Sequence, residues 1–237
     1  MKDEGSSPLI GTLGESSLHA AVKDWYAIPG DRLEVPVNGY VIDILRDSLL
    51  IEIQTRNFAQ IKHKLRSLLE NYTVHLVHPI AQEKWITRLP ENGKDSLSRR
   101  KSPKRGRFVH IFDELIRIPD LITHPQFSLE ILLIQVEEIR IQDGKGSWRR
   151  KGWSISDRRL TAVIDRLVLK KPADFLQFLP PDLPTSFTAR DLAEQGSIPL
   201  RLAQKMAYCL KHMGNISMTG KRSNAYLYKI DPAGQLT

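Results

Sequence analysis

The stretch GYVIDILRDSLLIEIQT, residues 39–55, limits the folds open to this chain more than any other. Its Val, Ile and Leu content predicts two strands, 40–46 and 49–55, turning at Asp47-Ser48. Strands this apolar are covered on both faces. Asp43 and Glu52 each interrupt one of them. A two-residue turn at 47–48 pairs Leu45 with Leu50 and sets Asp43 opposite Glu52. Directly opposed side chains have Cβ atoms ~4.5–5.5 Å apart, where like charges destabilise a sheet. Two carboxylates so placed need a cation, a basic partner or a shared proton. A hard divalent ion, Mg²⁺ or Mn²⁺, meets that need with oxygen ligands. Gln54 shares the face of Glu52 by the two-residue strand period. In the plainer alternative, both acids lie on a solvated edge.

Around this hairpin the hydrophobic pattern predicts a helix over 15–27, with Leu18, Ala21, Val22 and Trp25 on one face. Pro29-Gly30-Asp31 breaks it, and a strand follows at 32–37. A helix at 57–70 turns Phe58, Ile61, Leu65, Leu68 and Leu69 inward, and Pro79 closes a strand at 73–78. Helix, three strands, helix, strand is the order of a mixed sheet with helices packed on it. Residues 88–107 are polar and end in RRKSPKRGR, six of whose nine positions are basic. This run reads as a phosphate-binding loop or a solvated insertion. A short helix is expected at 110–117, a strand at 128–142 and a basic loop at 144–152, while 157–171 fits helix and strand alike.

Composition narrows the partners. Thirty-five Lys and Arg against 27 Asp and Glu give a formal net charge of +8, which favours a polyanion. The single cysteine, Cys209, permits no intramolecular disulfide and no Cys-based zinc site, fitting a reducing cytoplasm. The N-terminal segment has no apolar leader region, and no apolar run reaches membrane-spanning length. A cytoplasmic protein with no membrane partner is expected.

A helix carrying Glu15, a strand carrying Asp43 and then Glu52-Ile53-Gln54 resemble the core of the PD-(D/E)xK nuclease superfamily, in its Glu-x-Gln form. The resemblance covers roughly residues 12–80. It implies a restriction-endonuclease-like α/β fold, a mixed sheet flanked by helices. It also implies Mg²⁺- or Mn²⁺-assisted phosphodiester hydrolysis, with Asp43 and Glu52 as metal ligands and Glu15 as a further site residue. Gln54 stands where the superfamily usually has lysine, and it orients only by hydrogen bonds. In some members a lysine of the following helix takes over; here that is Lys64, with Lys62 close behind. Glu15 also completes a capping box with Thr12, which needs no metal. His19 and Lys23 share its helical face, where surface positions are the default.

Residues 184–231 resemble a winged helix-turn-helix, a small α+β domain. Thr188-Ala-Arg-Asp191 is a capping box opening a short helix that ends at Gly196. A helix at 199–213 turns Leu202, Ala203, Met206, Ala207, Leu210 and Met213 inward. Arg201, Gln204, Lys205, Tyr208 and Lys211 are left to face a major groove. Strands at 215–219 and 225–230 flank a turn whose Lys221 and Arg222 would touch the backbone. The expected organisation is a nuclease-like domain at 12–145, with its core at 12–87 and a basic insertion at about 88–110. A connecting segment at 146–183 and the winged helix at 184–231 follow. The expected activity is a DNA endonuclease acting on double strands, with a homodimer one way to cut both. The alternative is an inactive DNA-binding or regulatory scaffold; an RNA-directed nuclease is a third reading.

Overall fold

Two tight turns shape the first half of the sheet. In a computed structural model describing residues 17–90, 98–146, 148 and 151–231, Asn38 and Gly39 both take positive φ. They join β1 (Arg32–Val37) to β2 (Tyr40–Arg46) in the two-residue turn such dipeptides favour. Asp47, also at positive φ, turns β2 into β3 (Leu49–Ile53). Arg46 pairs with Leu49, Leu45 with Leu50 and Ile44 with Ile51, the pairing expected from the sequence. Helix α2 (Phe58–Leu69) then crosses over, so β4 (Thr73–Leu89) returns parallel to β3.

The sheet has seven strands in the order β1-β2-β3-β4-β6-β7, with the short β5 paired to β4 off this path. Strand β6 (Phe127–Gln142) is parallel to β4, and β7 (Trp153–Leu169) antiparallel to β6. Strand β5 (Ser98–Lys101) pairs with β4 at Trp85–Arg88, beyond the reach of β3. Helix α1 (Ser17–Tyr26) covers one face through Leu18, Val22 and Tyr26, against Ile44, Ile51, Val77 and Leu132. On the other face lie α2, the single-turn α3 (Phe112–Leu115) and the C-terminal helices α4 (Ala189–Gln195) and α5 (Leu200–His212). The hairpin β8 (Ile216–Arg222) and β9 (Ala225–Ile230) closes the described chain. The molecule is a mixed α/β protein, its large mixed sheet flanked by helices.

Several details depart from expectation. Trp25 is 45% exposed, and Tyr26 is buried in its place. Packing follows the i, i+4, i+8 series Leu18, Val22, Tyr26, leaving Trp25 off the contact stripe. Strand β4 does not stop at Pro79, which pairs with Leu132 on β6. Pairing with β3 ends at Val77, so Pro79 has a partner strand on one flank only, the edge-like setting in which proline is tolerated. The ambiguous stretch 157–171 is strand as far as Leu169, so the sheet extends well into the expected connecting segment. The C-terminal residues share one core with α2 and α3: Phe112, Phe175, Leu192, Leu202 and Met206 all belong to it.

Candidate functional site: a carboxylate pair at a strand fork

Strand β2 stays paired with β1 through Ile42, Val41 and Tyr40. Its ladder with β3 ends at Ile44–Ile51, so the two strands diverge at the next pair of residues, Asp43 and Glu52. Asp43 bridges the fork with its side chain. Ile53 N–H donates to Asp43 Oδ2 at 2.8 Å, taking a carboxylate where a ladder carbonyl would stand. The other oxygen, Oδ1, accepts from His19 Nε2 at 3.0 Å. Burial pushes the Asp43 carboxyl up, but the His19 bond and charge, the Ile53 N–H and Lys64 together hold it below its usual value.

Glu52 is 4% exposed. Burial raises its carboxyl to about 7, and the nearby Asp43 adds to the rise against the pull of Lys64. Lys64, from α2, sits 2.5 Å from Glu52 Oε1. That contact is an ion pair by distance but not a well-directed hydrogen bond, since Oε1 is buried without one. The directed bond of Lys64 Nζ goes to the Val41 carbonyl, at 2.6 Å. One lysine thus ties α2 to both arms of the fork. Lys62 lies elsewhere, 3.8 Å from Asp120.

Gln54 is placed differently from expectation. It follows the end of β3, and its amide donates to the Arg56 and Asn57 carbonyls at 2.6 and 3.2 Å, bracing the entry to α2. The backbone carbonyl of Gln54 accepts from His78 Nδ1 at 2.6 Å. Full burial holds His78 below its usual range, and Phe58 packs edge-on against the ring. Glu15 lies outside the described residues.

His19 is the residue the sequence undersold. It shares the helical face of Lys23, whose Nζ donates to Glu34 at 2.8 Å while 5% exposed. The spacing of four was the available signal.

Two carboxylates, one ionised and one near neutrality, suit a hard divalent cation, which accepts one or two protein carboxylates and completes its shell with water and substrate oxygen. Glu52 and Asp43 are the two carboxylates that could hold such an ion, although Lys64 already lies against Glu52 Oε1 and both Asp43 oxygens accept hydrogen bonds. Among the described residues no group of three or more His, Cys, Asp or Glu is gathered to hold a metal.

The residues expected to face DNA divide. On α5, Arg201, Gln204, Tyr208 and Lys211 are exposed, and the six expected inward residues are buried. Lys205 is not outward. Its Nζ donates to Asp113 of α3 at 2.6 Å, because α5 packs on α3 and position 205 falls at the rim of that contact. Thr188 caps α4 and closes the expected box with Asp191. Arg222 pairs with that same Asp191 at 2.5 Å, and Lys221 lies over the Tyr226 ring at 5.2 Å.

Fold and site together define a mixed α/β protein with a buried, lysine-paired carboxylate pair where two strands separate. The chain belongs to the family described as "Domain of unknown function (DUF8091)", which it matches over residues 16–170, ending one residue past β7. It is also similar to an "Uncharacterized protein" of Treponema pallidum (strain Nichols), 34% identical over 227 residues, covering 95% of this chain and 89% of that one. No solved structure matches the chain. No helix among the described residues is long and apolar enough to cross a membrane.

Proposed function

We propose that the chain is a divalent-cation-dependent DNA endonuclease of PD-(D/E)xK type, in its Glu-x-Gln form. The observation that carries the reading is Lys64 reaching from the crossover helix to Glu52, beside Asp43, where β2 and β3 separate. The element order adds support: helix, three-strand meander, crossover helix and a strand parallel to the third. Asp43 and Glu52 would hold Mg²⁺ or Mn²⁺, which when bound polarises a phosphate oxygen and acidifies a bound water. Asp43 is kept ionised by its bonds. Lys64 offers a positive charge to developing negative charge on phosphorus or to the attacking water. His19 fixes the Asp43 carboxylate and is a positioning residue. The C-terminal helices and hairpin, read as a winged helix, would present Arg201, Gln204, Tyr208 and Lys211 to a groove.

Supercoiled plasmid incubated with Mg²⁺ or Mn²⁺ tests this. Cleavage should fall by about 10²-fold or more in Asp43→Ala and Glu52→Ala. Lys64→Met should lose activity on the same scale, and Lys62→Met should keep it. Cleavage absent with either ion, or unchanged in both alanine variants, would refute the reading. One observation favours the alternative, a DNA-binding scaffold without catalysis: Gln54 spends its amide on two backbone carbonyls. On that alternative the plasmid is bound and left intact.

A further inference from the structure

Past Ile80 the burial of β4 gives way to half-exposure, apart from Ile86. From Glu83↔Gln135 and Val136↔Leu160 outward, β4, β5, β6 and β7 continue together as a sheet arm. Residues 83–105 and 135–160 contain fifteen Lys and Arg against seven Asp and Glu. Their surplus equals the +8 of the whole chain, so the remainder is neutral.

The two faces of the arm differ. On one, cations meet acids: Arg99 pairs with Glu137 at 2.9 Å, and Lys101 and Arg105 pair with Glu83 at 2.8 and 3.3 Å. On the other, three cations converge on one carboxylate. Glu138, 1% exposed, receives Arg140 through Nε and Nη2 at 2.9 and 2.6 Å, with Lys84 and Arg158 each at 3.3 Å. Arg88 shares this face by its spacing from Lys84, and Arg100 by pairing opposite Ile86. The Arg88 guanidinium lies over the Trp153 ring, 4.9 Å from its centre, and its Nε is buried without a hydrogen bond. One carboxylate cannot neutralise five cations. Among the described residues this face carries an excess of cations, complementary to the regularly spaced phosphates of a polyanion. The first turn of α1 links it to the carboxylate pair: Ser17 Oγ donates to the Arg158 carbonyl at 3.1 Å, and His19 bonds Asp43.

We propose that this face, carrying Lys84, Arg88, Arg100, Arg140 and Arg158, is the main docking surface for the phosphate backbone of duplex DNA, ahead of the exposed face of α5. The inference rests on the DNA reading above, and it assigns the principal contact to the sheet.

The test measures binding of the full chain to a fluorescent DNA duplex in EDTA, so that cleavage plays no role, across a salt series. Arg88→Gln with Arg100→Gln should lower the slope of log K against log salt by about 2, near 0.9 for each phosphate that is no longer neutralised. Arg201→Gln with Lys211→Gln should lower it less. Thermal melting accompanies each variant, and Arg100→Gln alone serves if the pair melts early, because Arg100 is exposed. An unchanged slope in folded Arg100→Gln, a larger loss in the α5 pair, or at least tenfold tighter binding of an RNA duplex would overturn the proposal. Arm-dependent binding with no cleavage under any divalent ion would sink the nuclease reading and leave this surface standing.

Discussion

Burying Glu52 couples the carboxylate pair to pH. Its folded value near 7 lies above the ordinary 4.5, so the native state holds this proton more tightly than the unfolded chain. The resulting stabilisation is complete below about 4.5 and is lost as pH rises through 7. Relative to Glu52→Gln, the wild type should therefore lose on the order of 3 kcal/mol between pH 4 and pH 8, followed by urea melts. A pH-independent gap between the two would show that Lys64 offsets burial in full. On the proposed metal-dependent reading the same proton would compete with a cation: Mn²⁺ affinity should weaken up to about tenfold per unit below pH 7, and calorimetry in two buffers should detect proton release. The placing of Asp43 toward Glu52 was legible from a two-residue turn and alternating apolar positions. The partners of those acids were not. His19 and Lys64 come from helices on opposite faces of the sheet, and no pattern along one strand reports which helical side chain reaches it.

Elements were legible wherever one periodicity ruled. The β2–β3 turn, α2 and the capped α4 fall where turn chemistry and spacing put them. The pattern failed where tertiary context decided. Pro79 stays within β4 because one flank there lacks a partner strand. Strand β7 carries three register shifts against β6, which break the alternation that marks a strand. Lys205 was expected on the outward face of α5, yet the helix is docked on α3 and Asp113 takes the ammonium. Lys205→Glu should therefore act on folding more than on DNA. It sets two carboxylates face to face at a partly solvated site, lowering stability by about 1 kcal/mol, and Asp113→Lys should restore it. A normal melting curve in Lys205→Glu together with a flattened salt slope would return the residue to the DNA face. The aromatic trio Phe112, Phe175 and Phe178 is the neighbouring joint, with ring centres 5.3–6.3 Å apart. Phe175→Ala should cost about 3–5 kcal/mol, and a loss under about 1 kcal/mol would mean the trio relaxes into the gap.

At the scale of the molecule, the family match and the core draw different boundaries. The match stops at residue 170, whereas Phe175, Leu192, Leu202, Met206 and Leu210 complete the core beneath α2 and α3. A chain ending at 170 should expose that surface, bind a hydrophobic dye and melt well below the full chain; equal melting would make the last third an independent attachment. Sequence composition carried the overall charge but not its location. Only the pairing of β4 with β6 and β7 gathers two distant basic stretches into one arm. Among the described residues most of the positive surplus sits on the arm, and a body so charged toward one end is an electric dipole. Before any contact forms, the field of a polyanion exerts a torque that swings the arm forward. The same moment would make the protein adsorb on a negatively charged surface in one orientation, with its carboxylate fork held at a fixed height.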